Sequence, residues 1–108
     1  MNKYIQKTEQ LNVNAIKRPK DEPVLRCIIA NDIEFVLINY QMVLRQYFSH
    51  VDGAENGIAA FDLVKSRPID FYDFIFLDIN MPIMNGVEAC AAISRYLREK
   101  TLKSLISV

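Results

Sequence analysis

The sequence predicts an α/β fold built on a parallel sheet. Three observations lead there. Strand-like and helix-like segments alternate along the chain. Phe74-Ile75-Phe76-Leu77 is a continuous apolar run between two acids, Asp73 and Asp78, as suits a strand buried on both faces. Finally, 36 of the 108 residues are Leu, Ile, Val or Phe, which is enough to fill one small core.

Each element follows from local pattern. Leu25 to Ala30 is a short, largely apolar run and reads as the first strand. Ile33, Val36, Leu37, Tyr40, Leu44, Tyr47 and Phe48 then recur at helical spacing, with Asn31 or Asp32 as the cap. His50 to Gly53 is a weak second strand ending in turn chemistry. Asn56-Gly57 is open to a hairpin turn, but Gly57, Ala60, Phe61 and Val64 at i, i+3, i+4, i+7 favour a helix cap there. Pro68 stops that second helix. The apolar run from Phe74 is the third strand, and Pro82 and Asn85-Gly86 mark the loop after it. Val87, Cys90, Ile93 and Leu97 line a third helix as core packing, and Leu105, Ile106 and Val108 read as a fourth strand. The order is β-α-β-α-β-α-β, with right-handed crossovers expected.

Residues 1–23 differ from the rest and read as a polar extension or linker, bounded by Pro19 and Pro23. Within it, Lys17-Arg18-Pro19-Lys20 is a short basic cluster; a solvated linker is preferred over an import signal. Residues 24–108 form the folded domain. The formal net charge is zero, which argues against a bulk electrostatic nucleic-acid binder. The apolar runs are too short to span a bilayer, and none of signal-peptide length opens the chain. The expected setting is cytoplasmic, without direct membrane contact. Cys27 and Cys90 cannot form a disulfide scaffold or a zinc site, and both read as buried thiols. His50, the single histidine, reads as a loop residue.

Ligands of open parallel sheets bind beyond the carboxyl ends of the strands. Asp32 follows the first strand and Asp78 the third. Read alone, Asp32 is a helix cap and Asp78 an acid closing a strand. Read together, they form two carboxylates converging on one crevice, a setting that suits Mg²⁺. There a bound ion would neutralise phosphate oxygens and one carboxylate could act as nucleophile. Residue pattern alone leaves both readings open.

The segment Tyr72-Asp73-Phe74-Ile75-Phe76-Leu77-Asp78-Ile79-Asn80-Met81-Pro82-Ile83-Met84-Asn85-Gly86 resembles the core of the response-regulator receiver domain. The pattern is an apolar strand, Asp, two residues, Met-Pro, and a Gly eight residues after the Asp. Cys27-Ile28-Ile29-Ala30-Asn31-Asp32 resembles the acidic end of that family's first strand, and Ala54-Glu55-Asn56-Gly57-Ile58-Ala59-Ala60 its turn into the second helix. The resemblance covers residues 24 to 108. It implies a flavodoxin-like three-layer α/β/α fold and a signalling module of a two-component phosphorelay, not an enzyme.

By that resemblance, Asp78 is the phosphoacceptor, taking a phosphoryl group from a phosphohistidine on a histidine kinase or histidine phosphotransfer protein. Asp32, Asp78 and the backbone carbonyl of Asn80 would hold Mg²⁺. Pro82 and Gly86 would shape the loop, and Met81 would pack. Two departures stand out. Asn31 occupies a position where the family carries an acid, so it would reach the metal through a water and the site loses a negative charge. No residue falls in register for the family's later Ser/Thr and Lys, so the chain reads as a receiver lacking its last helix, strand and helix. A pseudo-receiver that binds protein without being phosphorylated is the alternative. A haloacid-dehalogenase-like phosphohydrolase is disfavoured, because its second acid would fall at Asn80.

Overall fold

The computed structural model describes residues 24–106. The 1–23 extension, and Ser107 and Val108 of the expected fourth strand, lie outside them. The described elements are β1 (Arg26–Ala30), α1 (Glu34–Leu44), β2 (His50–Ala54), α2 (Gly57–Lys65), β3 (Phe74–Leu77) and α3 (Gly86–Ile106). The three strands form one parallel sheet in the order β2-β1-β3, the beginning of the expected flavodoxin-like arrangement.

β1 is the centre of the molecule. Cys27 pairs in register with Val51 on one side and Phe74 on the other; Ala30 pairs with Ala54 and Leu77. Cys27, Ile28 and Ala30 are fully buried and Ile29 nearly so, because both faces of the sheet are covered. Ile28 and Ala30 point into a core shared with Ala54, Ala60, Val64, Met81 and Ile93, to which α2 and α3 both contribute. Burying a side chain such as Ile28 contributes about 1.5–3 kcal/mol. By strand alternation Cys27 and Ile29 face the other layer. There Phe48 is buried edge-on against Phe74 and Phe76, at centroid distances of 5.4 and 6.0 Å.

Four expectations are corrected. Leu105 and Ile106 are the last turn of α3, a 21-residue helix, and open no strand. Short apolar runs do not distinguish helix from strand. Here Arg98–Lys103 is rich in strong helix formers without Gly or Pro, and the helix continues through it. Next, the buried face of α3 carries Ala89 and Ile93, with Tyr96 and Leu97 half-buried, whereas Val87 and Cys90 are exposed. Only Cys27 is a buried thiol. Then, α1 ends at Leu44, so Tyr47 and Phe48 of the expected stripe lie beyond it, and Ile33 and Tyr40 of that stripe are exposed; the helix has no buried residue, and its inward side is the half-buried Val36, Leu37, Gln41 and Leu44.

Last, His50 is not a loop residue but opens β2. Its Nε2 lies 2.7 Å from Asp52 Oδ2, and the Tyr72 hydroxyl donates to the same oxygen. Arg67 Nη2 stands 3.9 Å away, and the His50 ring meets Phe71 edge-on. Burial by itself would push the Asp52 carboxyl up; the hydrogen bonds from Tyr72 and His50 and the nearby positive charge outweigh it and hold the pKa below the ordinary value. The cluster ties the segment before β3 to β2.

Burial of Cys27 pushes its thiol pKa from 9.0 up to about 12. Below pH 9.0 both folded and unfolded chains hold that proton, and its contribution to stability is fully present. Above it the unfolded chain releases the proton while the folded chain keeps it, so stability falls by about 1.4 kcal/mol per pH unit until the folded thiol ionises. Urea unfolding across pH 8 to 11 should show this loss, with a shallower slope in Cys27→Ala. An unchanged slope in that variant would mean the thiol is not the group responsible.

Candidate functional site

The two acids flanking β3 have different fates. Asp73, at its start, is structural: its Oδ2 accepts the Arg26 N–H at 2.9 Å and its own N–H reaches the Arg26 carbonyl at 2.8 Å. Asp78, just past its end, continues the ladder through its N–H, which donates to the Ala30 carbonyl at 3.1 Å. The Asp78 carboxylate is half-buried and, among the described residues, has no hydrogen-bond or ion-pair partner. One end of the strand is closed by its acid and the other presents its acid.

β1 ends beside it. The Asn31 N–H donates to the Ala54 carbonyl at 3.0 Å, so Asn31 is stitched to β2 while Asp78 is stitched to β1. Continuing the register one step beyond Ala30 and Leu77 sets Asn31 opposite Asp78. Asn31 is the buried polar residue of the region, at 8% exposure. Its Oδ1 accepts the Ile33 N–H at 2.9 Å, an Asx turn that starts the approach to α1. Its Nδ2 has no acceptor among the described residues.

The N-cap of α1 is Ile33, without a side-chain cap bond, so neither Asn31 nor Asp32 caps that helix. Asp32 is exposed, with its carboxylate uncommitted among the described residues. The capping explanation for Asp32 therefore falls away, and the topology brings Asn31, Asp32 and Asp78 to one end of two adjacent strands.

The loop from Ile79 to Asn85 closes over that end. Asn80 is exposed, and its carbonyl accepts no backbone hydrogen bond among the described residues. Met81 drops into the core at 8% exposure, anchoring the loop from beneath. Pro82 is exposed at the bend. Its carbonyl accepts the Met84 N–H at 2.7 Å, and Ile83 between them has φ of 70°. That is a γ-turn of the positive-φ kind, in a backbone region that a β-branched residue avoids.

Asn85 and Glu88 then form a reciprocal capping box: Asn85 N–H to Glu88 Oε1 at 3.0 Å, Glu88 N–H to Asn85 Oδ1 at 2.8 Å. Gly86 closes the loop by donating to the Ile79 carbonyl at 3.1 Å. A Cβ on Gly86 would sit 2.8 Å from the Asp78 carbonyl carbon and closer still to its oxygen. Only glycine lets α3 begin against the backbone of Asp78.

The donor set facing this end is all oxygen: two carboxylates and a loop carbonyl, the kind a hard divalent cation takes. It is small, and no group of three or more His, Cys, Asp or Glu side chains able to hold a metal occurs among the described residues. Asn31 contributes an amide at this end and not a carboxylate. Its Nδ2 can donate to a metal-bound water but cannot ligate the ion.

The pattern Asn85-x-x-Glu88 was readable as a capping signature. The strain at Ile83 and the seating of Gly86 on Asp78 had no sequence signal beyond the glycine itself. Two substitutions test this loop. Gly86→Ala should lower stability by roughly 2 kcal/mol or more, since backbone on both sides must shift. Ile83→Gly should raise it by about 1 kcal/mol, by removing the cost of a left-handed β-branched residue. Denaturant midpoints of the two variants decide both.

Comparisons with known proteins agree with this geometry. Residues 27–106 match the sequence model of the response regulator receiver domain. The chain is 32% identical over 69 residues to a chemotaxis protein CheY of Halobacterium salinarum, covering 64% of this chain and 55% of that one. It is 29% identical over 86 residues to the aerobic respiration control sensor protein ArcB of Escherichia coli, covering 80% of this chain and 11% of ArcB. It is 33% identical over 61 residues to two-component system protein A of Emericella nidulans, covering 53% of this chain and 9% of that protein. The chain thus spans from a tenth to about half of these relatives. With the parallel β2-β1-β3 sheet and the matched region reaching from β1 to the end of α3, the chain belongs to the response-regulator receiver domain family of two-component systems.

Proposed function

We propose that this chain is a phosphoaccepting receiver module, in which Asp78 takes a phosphoryl group from a phosphohistidine donor in the presence of Mg²⁺. The observation that carries the reading is the contrast along β3. Asp73 is consumed by backbone hydrogen bonds, whereas the Asp78 carboxylate is held at the strand end with no partner among the described residues. Receiver domains are signalling modules that interact with histidine kinases or phosphotransfer proteins. One relative, mak3 of Schizosaccharomyces pombe, carries histidine kinase in its name. The donor for this chain is proposed to be of that class. Among the described residues no helix is long and apolar enough to cross a membrane, and the donor would be met at the exposed strand ends.

The chain's own residues do three things. The β1–β3 ladder fixes the Asp78 backbone, so its carboxylate oxygen is presented without reorganisation. Asp32, Asp78 and the Asn80 carbonyl would hold Mg²⁺, and Asn31 would orient one of its waters. The ion, when bound, supplies neutralising charge for the transferring phosphoryl group. The attack joins an Asp78 oxygen to phosphorus and breaks the bond from phosphorus to the donor's imidazole nitrogen. The product is an acyl phosphate on Asp78 and a free histidine on the donor. With an amide at Asn31 the site carries one charge fewer than three acids would supply, so Mg²⁺ is expected to bind more weakly than in an Asn31→Asp variant.

Incubation with Mg²⁺ and a small phosphodonor such as acetyl phosphate should add one phosphoryl mass to the intact protein. The adduct should be labile to hydroxylamine, fail to form when EDTA is present from the start, and be missing in Asp78→Asn. Asn31→Asp should reach half-maximal labelling at several-fold lower Mg²⁺. Labelling that survives Asp78→Asn would sink the assignment. A folded protein that takes no label at any Mg²⁺ concentration would favour a binding module that is never phosphorylated.

A further inference from the structure

Gly57 stands at the start of α2, on a different element from every residue proposed above for the phosphoryl and metal chemistry. Asn56 caps that helix through Oδ1, which accepts the Ala59 N–H at 2.8 Å. Gly57 is therefore the first helical residue, and its N–H is one of those a helix leaves without an internal acceptor. It donates instead across the molecule, to the Met84 carbonyl at 3.1 Å. Met84 is the residue that closes the positive-φ γ-turn at Ile83. A strained conformation persists only where its surroundings over-determine it. Here the loop is pinned by Gly86 N–H on Ile79, by Met81 in the core, and by Gly57 N–H on Met84.

The third pin also needs the missing side chain. Gly57 is buried, and a Cβ there would lie 2.8 Å from Met84 Cγ, 3.0 Å from Ala89 Cβ and closer still to the Met84 carbonyl oxygen. Two of these neighbours belong to the loop, and the third to the start of α3. Any side chain at this position pushes on the segment that carries the Asn80 carbonyl.

We infer that Gly57 is a positioning residue for the site: the N-terminus of α2 clamps the Ile79–Asn85 loop and so sets where the Asn80 carbonyl stands relative to Asp78. This rests on the receiver reading above. The clamp works in both directions, since a cation that draws on the Asn80 carbonyl moves the loop, and the loop's bond to Gly57 carries that movement to α2.

The experiment is an Mg²⁺ titration of the ¹⁵N-labelled chain followed by amide shifts. The Gly57 amide should move with the same half-saturating Mg²⁺ concentration as the amides of Asp78 and Asn80. In Gly57→Ala that concentration should rise about tenfold, in line with the loss on disturbing groups that orient metal ligands. Gly53→Ala is the control, because its new Cβ meets only the flexible end of the Gln41 side chain, and it should leave the concentration unchanged. If strand-end amides shift while Gly57 stays still, the clamp is overturned and the receiver site stands. A loss of equal size in Gly53→Ala, or none in Gly57→Ala, overturns it too. If Mg²⁺ moves no amide at the strand ends, the site reading fails and takes this inference with it. The wild-type arm decides the question even if Gly57→Ala does not fold.

Discussion

Everything in this molecule hangs on β1 being paired on both sides. A central parallel strand has no free edge and no solvent face, so each of its residues is committed twice: once through the ladder, once through a side chain. Cys27, Ile28 and Ala30 are fully buried for this reason. The same ladder transmits order to the carboxyl ends, where Asn31 is bonded to Ala54 and Asp78 to Ala30. Asn31 and Asp78 fall opposite one another because they continue the β1–β3 register by one step. A one-residue slip of β3 would turn Ile75 and Leu77 to the opposite face and move Asp78 off the end of the ladder.

The loop after β3 leads from Asp78 back to Gly86, which packs on the Asp78 backbone. It holds a tension between local preference and tertiary constraint. Ile83 adopts a backbone conformation that it disfavours, and it does so in contact with solvent, with no packing of its own to offset the cost. The offset comes from elsewhere: Met81 in the core, the capping box at Asn85 and Glu88, and the glycines at 57 and 86 that admit close backbone approach. Strain located at a site and supported from other elements is a recognised pattern at functional loops.

At the opposite end of the sheet, another polar group of residues has a different logic. His50, Asp52, Tyr72 and Arg67 satisfy one another around one carboxylate oxygen. Asp52 is thereby fully employed, as Asp73 is by the Arg26 backbone. Asp32 and Asp78, by contrast, have no side-chain hydrogen-bond or ion-pair partner among the described residues.

The sequence by itself determined the alternation of strands and helices, the cap at Asn56 and the location of Asp32 and Asp78 at strand ends, although β3, read as buried on both faces, is only half-buried along its length. These are local properties, set by period, by turn residues and by the few backbone conformations that Gly, Pro and Asn favour. It did not separate helix from strand at Leu105 and Ile106, because a short apolar run fits either; the helix formers before it let α3 run on. It did not reveal which face of α3 is inward, since Val87 and Ala89 differ in burial only through what α2 and β3 leave uncovered. His50 likewise depended on partners far along the chain. Whether Asp32 capped a helix, whether Asn31 would stand opposite Asp78, and why Gly57 must lack a side chain were decided only by tertiary structure. Each of these is a contact between elements, and no local pattern encodes a distance between residues that meet only once the sheet has formed.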